Sequence, residues 1–325
     1  MTDSIFTPRR AFLACATATL ALGLAAGAAQ AADKYPSKTI EVVTHAGAGG
    51  GTDVTTRMMM MRARRELKTD MTVVSKRGGG GAVAMNYING KKRDGYTIMT
   101  ITPSHLFTIA MGKSVLKIDD LVGIARATDD PQLLMAKAGK FKDAKAMLAE
   151  AAKRKLKVAG THVGGIDQVT VATFANKAGI KINYIPYEGG GHIVTNLIGG
   201  DVDIGVLNLS EAESQIKAGE IQPLVVLAKK RMGPLPNVPT SVELGIDATF
   251  STVRGFVTLK GTPAAELKTL ETKLVKAMNH SYYQGYLNTV GLGPDSIVGS
   301  ADWSAQIKQL YADGEKSLKE LGFIK

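Results

Sequence analysis

Cysteine is almost absent from this sequence, and its position excludes several kinds of chemistry. Cys15 is the only cysteine among 325 residues, and it lies in a segment that we expect to be removed from the mature chain. A mature chain without cysteine has no disulfide bond, no thiolate nucleophile and no cysteine-based metal site. Covalent catalysis by a thiol is therefore excluded for the mature protein.

Aromatic residues are also scarce, at 6% of the chain, and basic residues do not form blocks among them. The formal net charge is +11, but the lysines are scattered along the whole sequence. Proteins that bind nucleic acids usually concentrate their basic residues in one patch, so we expect no nucleic acid partner. A basic surface also attracts acidic small molecules, and this partner class fits the composition better.

The N-terminal segment 1–31 has the pattern of an export signal. The pair Arg9-Arg10 precedes an uncharged apolar run, and Ala29-Gln30-Ala31 fits a cleavage site. Two alternatives stay open. The arginine pair also resembles a twin-arginine signal, and the apolar run is close to the lower length limit for a membrane anchor. We expect a cleaved signal peptide and a periplasmic protein.

The region from Ile40 to Asp53 predicts an anion site. An apolar strand is followed by Gly47–Gly51, where four of five residues are glycine, and then by a helix for which Thr52 or Asp53 offers an N-cap. Glycine allows the backbone to approach a ligand closely. The first N–H groups of a helix have no intrahelical acceptor and carry a partial positive charge. Together these features favour binding of an anion.

The same pattern recurs twice. A strand precedes Gly160–Gly165, with Asp167 as the predicted N-cap, and another precedes Tyr187–His192. Strands that alternate with helices predict an α/β protein with largely parallel sheets. Because ligands of such sheets lie beyond the carboxyl ends of the strands, we expect these loops and Thr102–His105 to share one site.

Groups for catalysis or metal binding form no recognisable pattern. Four histidines, His45, His105, His162 and His192, lie on or next to loops, but no two have the short spacing of metal ligands. We interpret them as polar residues of a pocket or its rim, and we expect no metal and no cofactor. The first glycine loop nearly matches a dinucleotide fingerprint, but Thr52 replaces its last glycine.

The order of short motifs resembles the extracytoplasmic receptors of tripartite tricarboxylate transporters, the Bug receptors. The motifs extend over nearly the whole mature chain; they are Tyr35-Pro36, Gly49–Asp53, Arg77–Gly81, Asp94–Thr97, Pro186–Gly190, Gly199–Asp203, Leu235–Gly245 and Gly261-Thr262-Pro263. No single motif is specific, but their order and spacing are.

This resemblance implies a two-lobed periplasmic binding protein fold of type II, with two α/β lobes joined by two crossover strands near 127–131 and 251–254. We expect residues 32–129 and 253–325 in the first lobe and residues 130–252 in the second. The resemblance also implies which residues bind a ligand carboxylate; they are Ala46, Gly47, Ala48, Gly49, Gly50, Thr52, Asp53, Thr102, Ser104, His105, Thr161, His162, Gly165, Asp167, Tyr187, Gly190, His192, Leu207 and Asn208.

The resemblance further implies a non-catalytic, monomeric receptor that delivers a small organic acid to the membrane subunits of a tripartite transporter. The chain departs from the family pattern where Leu207 replaces a common acidic residue. We hypothesise that Leu207 lines the pocket and favours an aromatic or apolar aliphatic carboxylate. Two other functions stay open: an exported α/β enzyme acting on an anionic small molecule, and a ligand-sensing partner of a signalling receptor.

Overall fold

Two five-stranded sheets organise the chain in the computed structural model, which describes residues 1–2 and 35–325. Both sheets belong to the second of two compact units, Lys38–Lys325; the first is Met1–Ser37. Most of the predicted signal peptide and Cys15 lie outside the described residues.

The first sheet has the strand order β2-β1-β3-β10-β4. Its strands are β1 (Ile40–Thr44), β2 (Met71–Ser75), β3 (Thr97–Ile101), β4 (Leu121–Pro131) and β10 (Ser251–Leu259). Strands β1, β2 and β3 are parallel, as predicted, whereas β10 runs antiparallel to both β3 and β4. The apolar run that predicted β1 is buried because helices cover the sheet.

The second sheet has the strand order β7-β6-β8-β5-β9. Its strands are β5 (Leu133–Lys137), β6 (Leu156–Gly160), β7 (Ile182–Pro186), β8 (Ile204–Leu207) and β9 (Ile221–Val226). Strands β6, β7 and β8 are parallel, and β5 is antiparallel to β8 and β9. We call the first sheet with its helices the first lobe, and the second sheet with its helices the second lobe.

The chain passes between the sheets where β4 and β10 pair. Ser251 pairs with Pro131 at the end of this ladder, and the next backbone contact is from Gln132 N to Phe250 O at 3.0 Å. The chain therefore crosses between the lobes as two antiparallel segments that lie side by side. This crossing accounts for the antiparallel strands β10 in the first sheet and β5 in the second. The exact lobe boundaries given above stay a prediction.

Both lobes contain helices, and three helices of the first lobe follow the last strand, β10. In the first lobe they are α1 (Gly51–Leu67), α2 (Ala82–Asn89), α3 (Pro103–Ala110), α8 (Ala264–Met278), α9 (Ser281–Thr289) and α10 (Ser300–Glu320). In the second lobe they are α4 (Ala144–Lys153), α5 (Ile166–Lys177), α6 (Gly190–Gly199) and α7 (Leu209–Lys217). Among residues 1–2 and 35–325, no helix has the length and apolar character needed to cross a membrane.

Helix α10 closes the first lobe through close contacts with glycines. Trp303 is buried and donates its indole N–H to the carbonyl of Phe256 at 3.2 Å. Its ring lies against Gly255, where a Cβ atom would come within 2.4 Å of Cε2. Further along α10, a Cβ on Gly314 would lie 2.1 Å from Cε1 of Phe107. These glycines let the helix approach the sheet and α3.

Gly314→Ala is expected to lower the free energy of unfolding by about 1–3 kcal/mol, because the added methyl group must displace a buried aromatic ring. Gly285→Ala in α9 is the matched control, since a Cβ there meets nothing within 4 Å. Alanine favours helix more than glycine does by about 1 kcal/mol, so this control is expected to be stabilising. Urea denaturation measures the free energy of unfolding of both variants. Equal changes in the two variants would contradict the described packing of Gly314 against Phe107.

Candidate functional site

A cavity of about 560 Å³ is lined by both lobes. Its walls come from the loops after β1, β2 and β3 in the first lobe and after β6, β7 and β8 in the second. These are the carboxyl ends of the parallel strands, where α/β sheets bind their ligands. The three predicted glycine loops therefore share one cavity, as the sequence indicated.

Within residues 35–325, six helices begin at this cavity. Each contributes a lining residue at its N-cap or in its first turn: Gly51 of α1, Gly81 before α2, Ser104 of α3, Ile166 of α5, Gly190 of α6 and Asn208 before α7. The first N–H groups of each helix have no intrahelical acceptor, and the helix dipoles add partial positive charge at the same ends. The convergence makes the cavity suited to an anion.

The predicted N-caps of two of these helices are wrong. Gly50 rather than Thr52 or Asp53 caps α1, and Gly165 rather than Asp167 caps α5. The reason is that both aspartates lie inside the helix and bind the preceding loop. Asp53 Oδ2 accepts a hydrogen bond from Gly49 N at 3.0 Å and pairs with Arg57.

Asp167 organises the corresponding loop in the second lobe. Its Oδ2 accepts hydrogen bonds from Thr161 N at 2.8 Å and from the Thr161 hydroxyl at 2.6 Å. Its Oδ1 accepts from the side-chain amide of Gln132. The carboxylate is thus occupied by protein donors and fixes the loop that lines the cavity.

Arg254 is a buried cation in the wall of the cavity. Its Nη1 donates to Asp130 Oδ2 at 2.8 Å, and its Nη2 donates to Asn208 Oδ1 at 2.9 Å. The side chain lies so near the start of α1 that a Cβ on Gly51 would be 2.6 Å from Nη2. The guanidinium and the start of the helix both place positive charge at this corner of the cavity, which favours an anion.

The charge states of this pair follow from burial. Burial raises the pKa of Asp130 to about 6, although the charge of Arg254 opposes the shift. For Arg254, burial disfavours the charged form, but Asp130, Tyr286 and Glu211 together outweigh this effect and the pKa is raised. Removal of either partner would leave a buried charge uncompensated.

His45 and His162 line the cavity, and His105 lies next to His45 outside the lining. The rings of His45 and His105 are 4.2 Å apart in an edge-to-face arrangement. His105 is fully buried, and its Nδ1 accepts a hydrogen bond from Thr102 N at 3.1 Å. Burial, with His162 nearby, lowers the pKa of His105 to about 3. Burial first, then the neighbouring histidines and Arg254, lower the pKa of His45 well below its usual value.

The pKa of His162 is also lowered by burial, against the effect of Asp167. The three rings are therefore neutral near pH 7 and can donate or accept hydrogen bonds without adding charge. Over the described part of the chain, no three His, Cys, Asp or Glu side chains are placed to hold a metal ion.

Several polar atoms in the cavity wall have no partner within the described residues. They are His45 Nδ1, His162 Nε2, Thr252 Oγ1 and Arg254 Nε. Buried polar atoms are normally hydrogen-bonded, so an unpartnered group at a cavity indicates a place for a bound molecule or water.

The cavity mouth carries an ion pair between the lobes. Arg77, after β2, and Glu188, after β7, lie 2.8 Å apart from Nη2 to Oε2, and both side chains are exposed. The pair joins the loop of one lobe to the loop of the other across the lining. An exposed pair of this kind stabilises the contact by at most about 1 kcal/mol.

The structure brings together about two thirds of the residues predicted to bind ligand. Those in the lining are Ala46, Gly47, Gly50, Thr52, Thr102, Ser104, Thr161, His162, Asp167, Tyr187, Gly190 and Asn208. Their direct contact with ligand stays a prediction. Those outside the lining are Ala48, Gly49, Asp53, His105, Gly165, His192 and Leu207.

The placement of Leu207 on the pocket wall is wrong. Leu207 is buried in β8, pairs with Leu133 and packs in an apolar cluster with Ile193 and Leu197. Its side chain serves the core of the second lobe, so it gives no reason for an aromatic ligand. Among the described residues that line the cavity, only Ala46, Ile166 and Tyr187 have side chains of marked apolar character.

Four charged lining residues were missed: Arg254, Glu211, Glu188 and Arg77. The sequence does contain a signal for Arg254, because this residue interrupts an apolar strand. Charged side chains are rarely buried without a partner, so its position indicates a buried ion pair. Glu211 follows Asn208 at the spacing of a capping box, which predicts a helix start but not a cavity wall.

Comparisons with known proteins agree with this architecture. The family model described as "Tripartite tricarboxylate transporter family receptor" matches residues 55–321. A UPF0065 protein of Bordetella pertussis is 30% identical over 284 residues, which cover 85% of this chain and 87% of that protein. A UPF0065 protein of Cupriavidus necator is 30% identical over 294 residues, covering 88% and 90% respectively.

Solved structures have the same arrangement of sheets. A TctC solute binding protein from Polaromonas, solved without ligand, is 25% identical with a TM-score of 0.70, and the match covers 88% of this chain and 99% of that one. An R. palustris protein solved with adipate is 23% identical with a TM-score of 0.82, covering 89% and 98%. A Rhodopseudomonas palustris protein with bound malate is 22% identical with a TM-score of 0.80, covering 87% and 100%. The predicted two-lobed periplasmic binding fold is confirmed.

Proposed function

Because the chain belongs to the receptor family of tripartite tricarboxylate transporters, we propose that its cavity captures a small organic carboxylate in the periplasm for delivery to the membrane subunits of such a transporter. The observation that carries this proposal is the convergence of six helix N-termini on one cavity. Helix N-termini stabilise a carboxylate with backbone N–H groups that need no rearrangement when it binds.

Binding would use backbone and side chains together. One carboxylate oxygen pair accepts from the first N–H groups of α1 and α6, which line the cavity from different lobes. The unpartnered Arg254 Nε and the neutral His45 and His162 rings are then available for the remaining ligand oxygens. The pair Arg77–Glu188 holds the two loops at the mouth over the bound acid.

The lining favours an aliphatic, polar acid over an aromatic one. Hydroxyl, charged and glycine residues make up most of the wall, and an aromatic ring would find few apolar partners there. Malate and adipate, which are bound in two structures of the same fold, are aliphatic dicarboxylates and provide suitable first probes. We propose that the protein binds such an acid without converting it to a product and that it acts as a monomer. We also propose that residues 1–31 direct its export and are then cleaved.

Isothermal titration calorimetry of the purified mature protein tests this function. Malate, succinate, adipate and benzoate are titrated in turn, and incubated samples are analysed for products. We expect stoichiometric binding of at least one aliphatic dicarboxylate, weaker binding of benzoate, and no product. Tight binding of benzoate alone, or conversion of any acid, would contradict the proposal.

A further inference from the structure

Glu211 places an acidic group inside a cavity that is otherwise built for an anion. It is the third residue of α7 and a lining residue, and its Oε2 accepts a hydrogen bond from Asn208 N at 3.0 Å. Its Oε1 lies against the start of α6, where a Cβ on Gly190 would be 2.4 Å away. The carboxylate therefore lies between two of the helix N-termini proposed to hold the ligand.

An ionised Glu211 and a bound carboxylate would compete for the same donors. Two carboxylates that share a site do not both remain ionised at low cost; one of them takes up a proton. The ligand carboxylate has an ordinary pKa near 4. The pKa of Glu211 is raised to about 7, first by burial and then by Asp167 and Asp130, against the Asn208 N–H and Arg254. Glu211 is thus the group that protonates.

The groups around Glu211 do not supply an alternative charge balance. Arg254 on β10 is the nearby cation, and it is already paired with Asp130 on β4. Asp167 on α5 accepts hydrogen bonds from Thr161 and Gln132. The Tyr286 phenol on α9 bonds to Thr55 at 2.9 Å, and burial raises its pKa, so it stays neutral.

We propose that Glu211 takes up one proton when the carboxylate binds, and that its carboxyl group then donates a hydrogen bond to the ligand. The proton comes from solvent and stays on Glu211 until the ligand leaves, so no covalent bond to the ligand forms or breaks. Glu211 is thereby a specificity-determining residue, because it favours acids that can accept a hydrogen bond from its carboxyl group. It also makes the affinity for the acid depend on pH. This inference rests on the proposed function.

The sign of the pH dependence follows from linkage. Above pH 7 the free protein carries Glu211 largely ionised, and binding must add the proton, so affinity falls as pH rises. We expect the dissociation constant to rise about eightfold from pH 6.5 to pH 8, and proton uptake at pH 8 to approach one per bound acid.

Calorimetry in two buffers of different ionisation enthalpy counts these protons. Malate, succinate and adipate are titrated at pH 6.5 and pH 8, and the acid that binds most tightly is used. Glu211→Gln keeps a side-chain acceptor for Asn208 N, so the helix start is preserved. Glu213→Gln is the matched control, because Glu213 lies on the same helix, pairs with Lys217 and is outside the cavity lining.

We expect proton uptake and the pH slope in the wild type and in Glu213→Gln, and neither in Glu211→Gln. Binding without proton uptake in the wild type would overturn this inference alone and leave the receptor function intact. Uptake that persists in Glu211→Gln would assign the proton to another group, such as His162, and would also overturn it. If none of the three acids binds at either pH, the proposed function fails together with this inference.

Discussion

Replacing Arg254 by methionine is expected to lower the free energy of unfolding by about 3–5 kcal/mol, because Asp130 would be left as an uncompensated buried charge. Both side chains are almost inaccessible to solvent, at 3% and 2%. The substitution also removes the bond from Nη2 to Asn208 Oδ1, which ties the start of α7 to β10. We therefore expect acid binding to be lost even at temperatures where the variant remains folded. Chemical denaturation and calorimetry measure the two effects.

Two further variants identify the cause of this loss. Arg77→Met removes a cation of the same type from the exposed pair with Glu188, and we expect it to cost less than about 1 kcal/mol. Arg254→Met combined with Asp130→Leu removes both buried charges, and we expect it to recover much of the lost stability. Equal losses from Arg254→Met and Arg77→Met would show that the Arg254 pair is not buried as described.

Gly190→Ala is expected to weaken acid binding roughly 10- to 100-fold, which corresponds to about 1.4–2.8 kcal/mol. The new Cβ would lie 2.4 Å from Glu211 Oε1 and 3.2 Å from Glu211 Cβ. The end of the Glu211 side chain can move, so the cost in stability is small. Its displacement disturbs the hydrogen bond that we propose from the Glu211 carboxyl group to the ligand, and the added methyl group lies in the first turn of α6.

Gly191→Ala is the matched control for this prediction. Gly191 is the next residue of α6, but a Cβ there meets nothing within 4 Å and the residue does not line the cavity. We expect unchanged affinity and a slightly higher stability, since alanine favours helix more than glycine does. If the two variants bound acid equally well, the start of α6 would not be part of the binding site.

The sequence predicted the shared cavity because its cause is local. A buried strand, a glycine run and a helix start are adjacent in the chain, and parallel strands bring their carboxyl ends to one edge. The loops at Gly47–Gly51 and Tyr187–His192 needed no information from distant residues. The N-caps were wrong because Asp53 and Asp167 fit the usual preference, whereas in the fold their side chains bind back to the preceding loops.

The charged residues of the cavity wall were harder to predict from the sequence, because residues far apart in the chain form this part of the wall. Arg254 and Asp130 are separated by 124 residues, and only the pairing of β4 with β10 brings them together. Leu207 shows that the direction of a strand side chain is also hard to predict from the sequence. Alternate residues of a strand face opposite sides, so the register of β8 against β5 decided that this side chain packs into the core.

A crystal structure of the protein with its tightest-binding dicarboxylate is the most direct test of the central claim. We expect one carboxylate in the cavity within hydrogen-bonding distance, about 2.7–3.2 Å, of backbone N–H groups in the first turns of α1 and α6. An acid bound outside this cavity, or held in it by side chains alone with no helix N-terminus in contact, would contradict the account.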